Sequence, residues 1–439
     1  HQRTVRAKRL KLWRQSGVTG QHEAWEYMMQ TVDLSISETF EREIPHEYFS
    51  WLREHEPVHW QAPGPSRVIP GSPMEMEQRG FWVISRHRDV IEVSLDQKRF
   101  SSERGSSLVQ DMDAERIAQM RLWMINQDAP GHTKLRKLVN KGFTLRMIEK
   151  MDVHIRKLAA EIVDGVARKG ECDFVAEIAC ELPIIVIAEL VGCPVEDRAK
   201  LFDLSNRMIG FEDPDFSDAN AAGDAMLEML EYASHLGKLR RANPRDDLAS
   251  VLLSAEVDGE RLDELGFSMF FILLILAGNE TTRNAISGGM LALSDHPDQR
   301  DKLRNDLSLM KTATEEILRF VSPVITMRRT ATCDTEIAGQ SIRENDKVVM
   351  FYPAANRDRD VFENPQQFDV ARDPNPHLAF GWGPHFCLGA SLARAEIRGV
   401  FSELLTRLPD IEVCGPVRRL RSSTVNSIKS MPVRFTPER

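Results

Sequence analysis

The chain has 439 residues, 42% hydrophobic and 28% charged, with a formal net charge of -9 and a pI near 5.8. That balance is ordinary for a globular protein with a large core, and its acidity argues against general nucleic-acid binding. The six cysteines are sparse and lack C-x-x-C spacing. This argues against a zinc site or disulfide framework and suits a reducing cytoplasm.

His1–Arg14 carries six Lys/Arg around Val5, Leu10, Leu12 and Trp13 and reads as a solvated leader, with a membrane-surface helix as the alternative. No signal peptide or membrane span is expected, since the longest apolar run, Met269 to Ala277, falls far short of about 18 residues. Ile44 to Trp60 reads as a helix (Tyr48, Phe49, Leu52) running into the strand Val58-His59-Trp60. A Pro/Gly/Ser-rich loop separates it from Gly80–Ile84, a second strand able to pair with the first. Asp89–Val93 opens another helix, and the mixed segment Ser101–Asn126 follows.

Asp128 is the expected cap of a helix on which His132 and Arg136, at i and i+4, share a face. Such a pair suits clamping an anionic group, or forms a solvated basic face. Met151 to Leu253 is helical by period, with breaks at Gly170, Gly192–Pro194, Phe211–Asp218 and Asn243-Pro244. Gly210–Phe216 is an acidic, aromatic connector.

Asp263 to Ser294 predicts a long helix whose middle, Phe270–Leu276, is apolar on every side and therefore runs through the core. It continues into Ala277-Gly278-Asn279-Glu280-Thr281-Thr282, polar groups that are costly in a buried helix unless used. Thr281 can bond back to the Ala277 carbonyl, with Gly278 leaving room, and so open a groove; a satisfied polar kink would carry the same residues. Further on, Glu316 and Arg319 are three apart on a helix and can pair. Ser322–Arg329 then leaves as an extended segment, and strand-like runs follow at Glu336-Ile337 and Lys347–Phe351.

Near the C-terminus stands Phe380-Gly381-Trp382-Gly383-Pro384-His385-Phe386-Cys387-Leu388-Gly389, followed at once by a good helix former, Ala390–Arg398. Gly381 and Gly383 permit a path closed to other residues, Pro384 stiffens it, and Cys387 is delivered to a helix N-terminus. Unpaired backbone N–H groups and the helix dipole stabilise a thiolate there, and such a sulfur is a good axial ligand for haem iron.

This segment matches Phe-Gly-x-Gly-x-His-x-Cys-x-Gly at every fixed position and resembles the haem-binding loop of the cytochrome P-450 family. The likeness covers nearly all of the chain from about Ile44, in the family's motif order. It implies a mainly α fold with small β-sheets, one domain over residues 1–439 (1–43 a leader), and haem b held between a long central helix and the cysteine-loop helix. Cys387 is then the iron ligand, and His132, Arg136, Arg329 and His385 bind the propionates, Arg328 leaving the register of Arg329 open by one. Ala277–Thr282 resembles the oxygen-activation motif, with Glu280 and Thr281 catalytic. Glu316 and Arg319 resemble the Glu-x-x-Arg pair, completed by a distant arginine for which Arg372 is the best candidate. By position, Gly210–Phe216 resembles the lid over the substrate channel, or is a plain connector.

The implied reaction is insertion of one oxygen atom from O2 into a C–H bond. No Gly-x-Gly-x-x-Gly follows a strand, so electrons are expected from a ferredoxin with its reductase, docking near Lys134, Lys137 and Lys141. Finer resemblance points to the bacterial branch that oxidises terminal methyl groups of sterol side chains and methyl-branched lipids, with terpenoids as runner-up. Val109, Trp123, Ala277, Ile325 and Val425 are the expected pocket walls. A cytoplasmic monomer is expected. The rivals are a peroxide-driven haem-thiolate enzyme and a helical binding or structural protein.

Overall fold

A computed structural model describes residues 32–64, 77–140, 145–216, 221–257 and 259–439. The basic His1–Arg14 stretch and Lys141 lie outside the described residues.

The organising element is the helix Glu264–Asp295. Its 32 residues span about 48 Å at 1.5 Å per residue. Asp263 caps it, its carboxylate accepting the Gly266 N–H at 2.6 Å. The helix is long and apolar enough to cross a membrane, which the single apolar run did not reveal. However, 67% of its most apolar window is buried inside the protein, so it is a core helix.

Around it pack Glu181–Val191, Arg198–Ile209, Ala221–Ala242, Met310–Val321 and Ala390–Arg407. Their inward faces merge into one large apolar cluster that includes Phe267, Phe271, Ile275, Ile317 and Phe401. Among the described residues, the breaks expected between Met151 and Leu253 coincide with observed helix ends. Gly192, for example, closes Glu181–Val191 in the left-handed region at φ 97°.

The sheet has five strands in the order Val58–Gln61, Phe81–Ile84, Lys347–Phe351, Thr326–Ala331, Phe100–Ser101. Val58 pairs antiparallel with Ile84, as the two alternating runs predicted. Lys347–Phe351 lies parallel to Phe81–Ile84 and antiparallel to Thr326–Ala331. One face buries Phe81, Val83, Val349 and Phe351 against Phe49 and Leu52; the other buries Ile84, Val348 and Met350 against Val90 and Val93. The Thr326–Ala331 strand follows closely on Met310–Val321 and carries Arg328 and Arg329 on its two faces.

Candidate active site

The loop before Ala390–Arg407 is held by its own backbone. Gly381 and Gly383 both adopt φ 69°, the region glycine permits at little cost. Gly381 N–H donates to Leu378 O at 2.9 Å, Phe386 N–H to Gly383 O at 3.0 Å, and Cys387 N–H to Phe380 O at 2.9 Å. A Cβ at Gly383 would stand 3.1 Å from the Ser94 carbonyl oxygen, so the loop also needs glycine for its close approach to the His87–Leu95 helix.

The Cys387 thiol is pushed above its ordinary range by burial. The Gly389 N–H, Arg136 and Arg394 pull the other way. By accessibility Cys387 is half-buried, just before the Ala390–Arg407 helix. A metal cation beside it would add to the helix end and the two arginines in favouring the thiolate, and the donor set suits a haem iron.

Four nitrogen-bearing side chains converge near this loop. The His132 and His385 rings lie with centroids 4.1 Å apart, tilted by 35°. Arg136 and Arg329 lie close enough to hold the His385 imidazole down to about 2, after burial, the larger cause, with His132 adding to it. His132 is likewise lowered by burial and by the same two arginines. Among the described residues none of the four is ion-paired with a carboxylate, and Arg329 is buried with its Nη1 on the Arg328 carbonyl at 2.8 Å. A group carrying two carboxylates fits this donor set.

Strand alternation settles which arginine faces the cluster. Arg328 points to the opposite side, donating to Gln110 O at 3.0 Å and lying 3.5 Å from Asp111 Oδ1. Asp128 does not cap the Gly131–Asn140 helix with its side chain. Its carboxylate accepts from Ser101 Oγ and, at 2.9 Å, from Ser102 N–H, tying the helix start to the strand beside it.

On the central helix, Thr281 Oγ1 donates to Ala277 O at 2.8 Å. Ala277 is exposed and Gly278 and Thr281 are half-buried, although their neighbours along the helix are mostly buried. These residues form a small accessible patch in the middle of a mostly buried rod. The helix is continuous through the motif, and Gly278 serves packing: a Cβ there would meet Ile187 Cγ1 at 2.9 Å. Glu280 is buried and ion-paired with Arg283, one turn on, while its Oε1 has no partner. Arg283 in turn donates to Asn206 Oδ1 at 2.8 Å.

The Glu316 carboxylate receives Arg319 Nε and Nη2, each at 2.8 Å, Arg372 Nε at 3.1 Å and Asn375 Nδ2 at 3.1 Å. Glu316 and Arg319 are 0% exposed, so this is an interior network and away from any pocket surface. Its neighbour Glu315 was missed from the sequence. It binds Arg394 at 2.7 and 2.8 Å and His377 at 3.0 Å, and Arg394 lies over the Phe380 ring at 4.5 Å. The helix thereby grips the cysteine loop from both ends. Arg283 was also missed, although its i+3 spacing from Glu280 was a usable signal.

Of the expected pocket walls, Val109 and Ile325 share one apolar cluster, and Val425 bridges Val324 beside them. Ala277 lies on the accessible patch of the central helix. Trp123 packs instead against the large helical cluster. Gly210–Phe216 is fastened to the C-terminal hairpin through three carboxylates, a connection with no local signal in the sequence.

A family model described as Cytochrome P450 matches residues 187–414. The steroid C26-monooxygenase of Rhodococcus jostii is 43% identical over 408 residues, 92% of this chain and 84% of that protein. The methyl-branched lipid omega-hydroxylase of Mycobacterium tuberculosis is 40% identical over 394 residues, 88% of this chain and 90% of that one. Among solved structures, a Mycobacterium marinum cytochrome P450 in complex with pseudoionone superimposes with a TM-score of 0.85 at 39% identity, covering 92% of this chain and 98% of the other.

Proposed function

Because the chain belongs to the cytochrome P450 family, and is thus a haem-dependent monooxygenase that hydroxylates hydrophobic substrates, we propose that it oxidises a terminal methyl group of a sterol side chain or methyl-branched lipid. The observation that carries this reading is the 43% identity, across 92% of the chain, to a steroid C26-monooxygenase. The similar likeness to a methyl-branched lipid omega-hydroxylase supports a chain-end position.

Haem, when bound, supplies the iron at which dioxygen is activated. Cys387 Sγ would hold the iron. His132, Arg136, Arg329 and His385 would hold its propionates by charge-assisted hydrogen bonds. Thr281, its own proton committed to Ala277 O, keeps oxygen lone pairs on the accessible patch to accept a hydrogen bond from a water. Glu280 Oε1 is the open acceptor that takes and returns protons behind it, while Arg283 holds the other oxygen. Val109, Ile325 and Val425, with Ala277, exclude water and align an apolar chain. Glu316, Arg319 and Arg372 are structural.

Electrons come from a ferredoxin and its reductase, docking on a basic surface that includes Lys134 and Lys137. The enzyme acts as a one-domain monomer in the cytoplasm, a setting supported by six free cysteines. The relative bound to pseudoionone supports a second reading, hydroxylation of a branched terpenoid.

The test is a comparison of cholesterol, a methyl-branched fatty acid and pseudoionone. Each is scored by the low-to-high-spin change of the holoenzyme and by mass spectrometry of products. A terminal alcohol on the sterol or the lipid is expected. Oxidation of pseudoionone alone would favour the terpenoid reading, and Cys387→Ser retaining the thiolate-type carbon monoxide band would remove the ligand assignment.

A further inference from the structure

Three segments distant in sequence meet at one carboxylate. Glu212, in the connector after Arg198–Ile209, accepts from Ser423 N–H at 2.8 Å, from Ser423 Oγ at 3.1 Å on both oxygens, and from Gln110 Nε2 at 2.9 Å. Gln110 Nε2 also reaches Ser423 Oγ at 3.1 Å. Gln110 follows Val109, and Ser423 stands two residues before Val425. The Ile325 N–H donates to Thr424 O at 2.8 Å, so three of the five expected wall residues hang on segments that this carboxylate ties together.

The charges nearby are otherwise engaged. On the connector itself, Asp213 accepts Lys429 Nζ at 2.9 Å on each oxygen, and Asp215 accepts Lys429 and Arg418 at 2.7 Å. On the hairpin, Arg421 pairs with Glu41 and Glu38. On the Gln110 side, Asp111 pairs with Lys347, Arg328 and Arg79. Glu212 makes no ion pair among the described residues; it has only neutral donors.

We propose that Glu212 is a positioning residue for substrate capture: by bridging Gln110 and Ser423 it holds the Val109 and Val425 walls to the Gly210–Phe216 connector, and a hydrophobic substrate enters or leaves when the bridge lets go. This rests on the reading of Val109, Ile325 and Val425 as pocket walls. Without a cation opposite, burial pushes the Glu212 carboxyl up to about 7, against the pull of Ser423, Ser422 and Gln110. Once released to solvent it ionises in the ordinary carboxylate range. Proton binding therefore favours the bridged state, and the bridge loosens as pH rises toward 7 and beyond.

The experiment follows dissociation of cholesterol from the holoenzyme by the Soret change, with amide exchange at Ser423 and residues 211–216 measured in the ligand-free holoenzyme. From pH 6 to pH 8 the wild-type dissociation rate and the exchange should both rise about tenfold. Glu212→Gln should stay bridged and lose the pH dependence, because the Gln110 amide can turn its unpartnered oxygen toward the new NH2. Glu212→Ala should dissociate quickly at both pH values, with KM rising more than kcat falls. Rates and exchange that are flat with pH in the wild type, or equal in all three proteins, overturn the proposal. Should cholesterol give no Soret change, the substrate reading fails, and Ser423 exchange alone then decides the bridge.

Discussion

The His132 and His385 rings stand with centroids 4.1 Å apart, one from the Gly131–Asn140 helix and the other from the cysteine loop. With Arg136 and Arg329 they form a donor cluster without a carboxylate partner among the described residues. Haem retention should therefore depend on these four groups and not on Arg328. A lost hydrogen bond to a charged group costs about 1.5–3 kcal/mol, so Arg136→Ala or Arg329→Ala should release haem roughly ten- to a hundredfold faster. Arg328→Ala, which strips a partner from buried Asp111, should lower the melting temperature and leave haem release near wild type. Transfer of haem to apomyoglobin measures both.

Thr281→Ala removes the hydroxyl and should divert electrons from hydroxylated product to hydrogen peroxide, whereas Thr281→Ser keeps the Oγ and should restore coupling. Glu280→Gln cannot carry the proton and should lower kcat by about a hundredfold while substrate affinity changes little. The ratio of peroxide to product per electron supplied, read alongside kcat, checks both.

The Glu316 network should matter for stability and not for substrate. Glu316→Ala leaves Arg319 buried without its carboxylate, at a cost of about 3–5 kcal/mol. Arg372→Ala should cost less, since Arg319 and Asn375 still satisfy the acid. Denaturant titration of the two variants gives the ranking; a large change in KM without loss of stability would contradict it.

Acid lability should be traceable to Glu315. Burial raises its pKa, but hydrogen bonds from His377 and Arg394 outweigh burial and hold it down to about 2. A carboxyl lower in the folded than in the unfolded state contributes stability above its unfolded value near 4.5 and loses it as pH falls toward 2. That contribution is about 2–3 kcal/mol for a group still partly in contact with solvent. Glu315→Gln should be less stable by this amount at pH 7 and show a flatter stability profile between pH 5 and pH 2.

Much of this was legible in the chain itself. The cysteine loop was, because the φ of Gly381 and Gly383 and the stiffness of Pro384 are local properties. The core helix was, because Phe270–Leu276 leaves no polar face for water. The Glu316–Arg319 and Thr281–Ala277 bonds were, because spacings of three and four bring groups together on any helix.

Other relationships belong to the tertiary structure alone. Whether Arg328 or Arg329 faces the cluster depends on which side of the sheet meets Asp111 and which meets the loop. Arg394 and His377 reach Glu315, and Gln110 and Ser423 reach Glu212, across gaps in sequence that carry no periodicity. Arg136 and Cys387 are likewise brought together from distant parts of the chain. The division has one physical cause: backbone conformation and short spacings are set by neighbouring residues, whereas desolvation and long-range pairing exist only once packing has removed water from around particular groups.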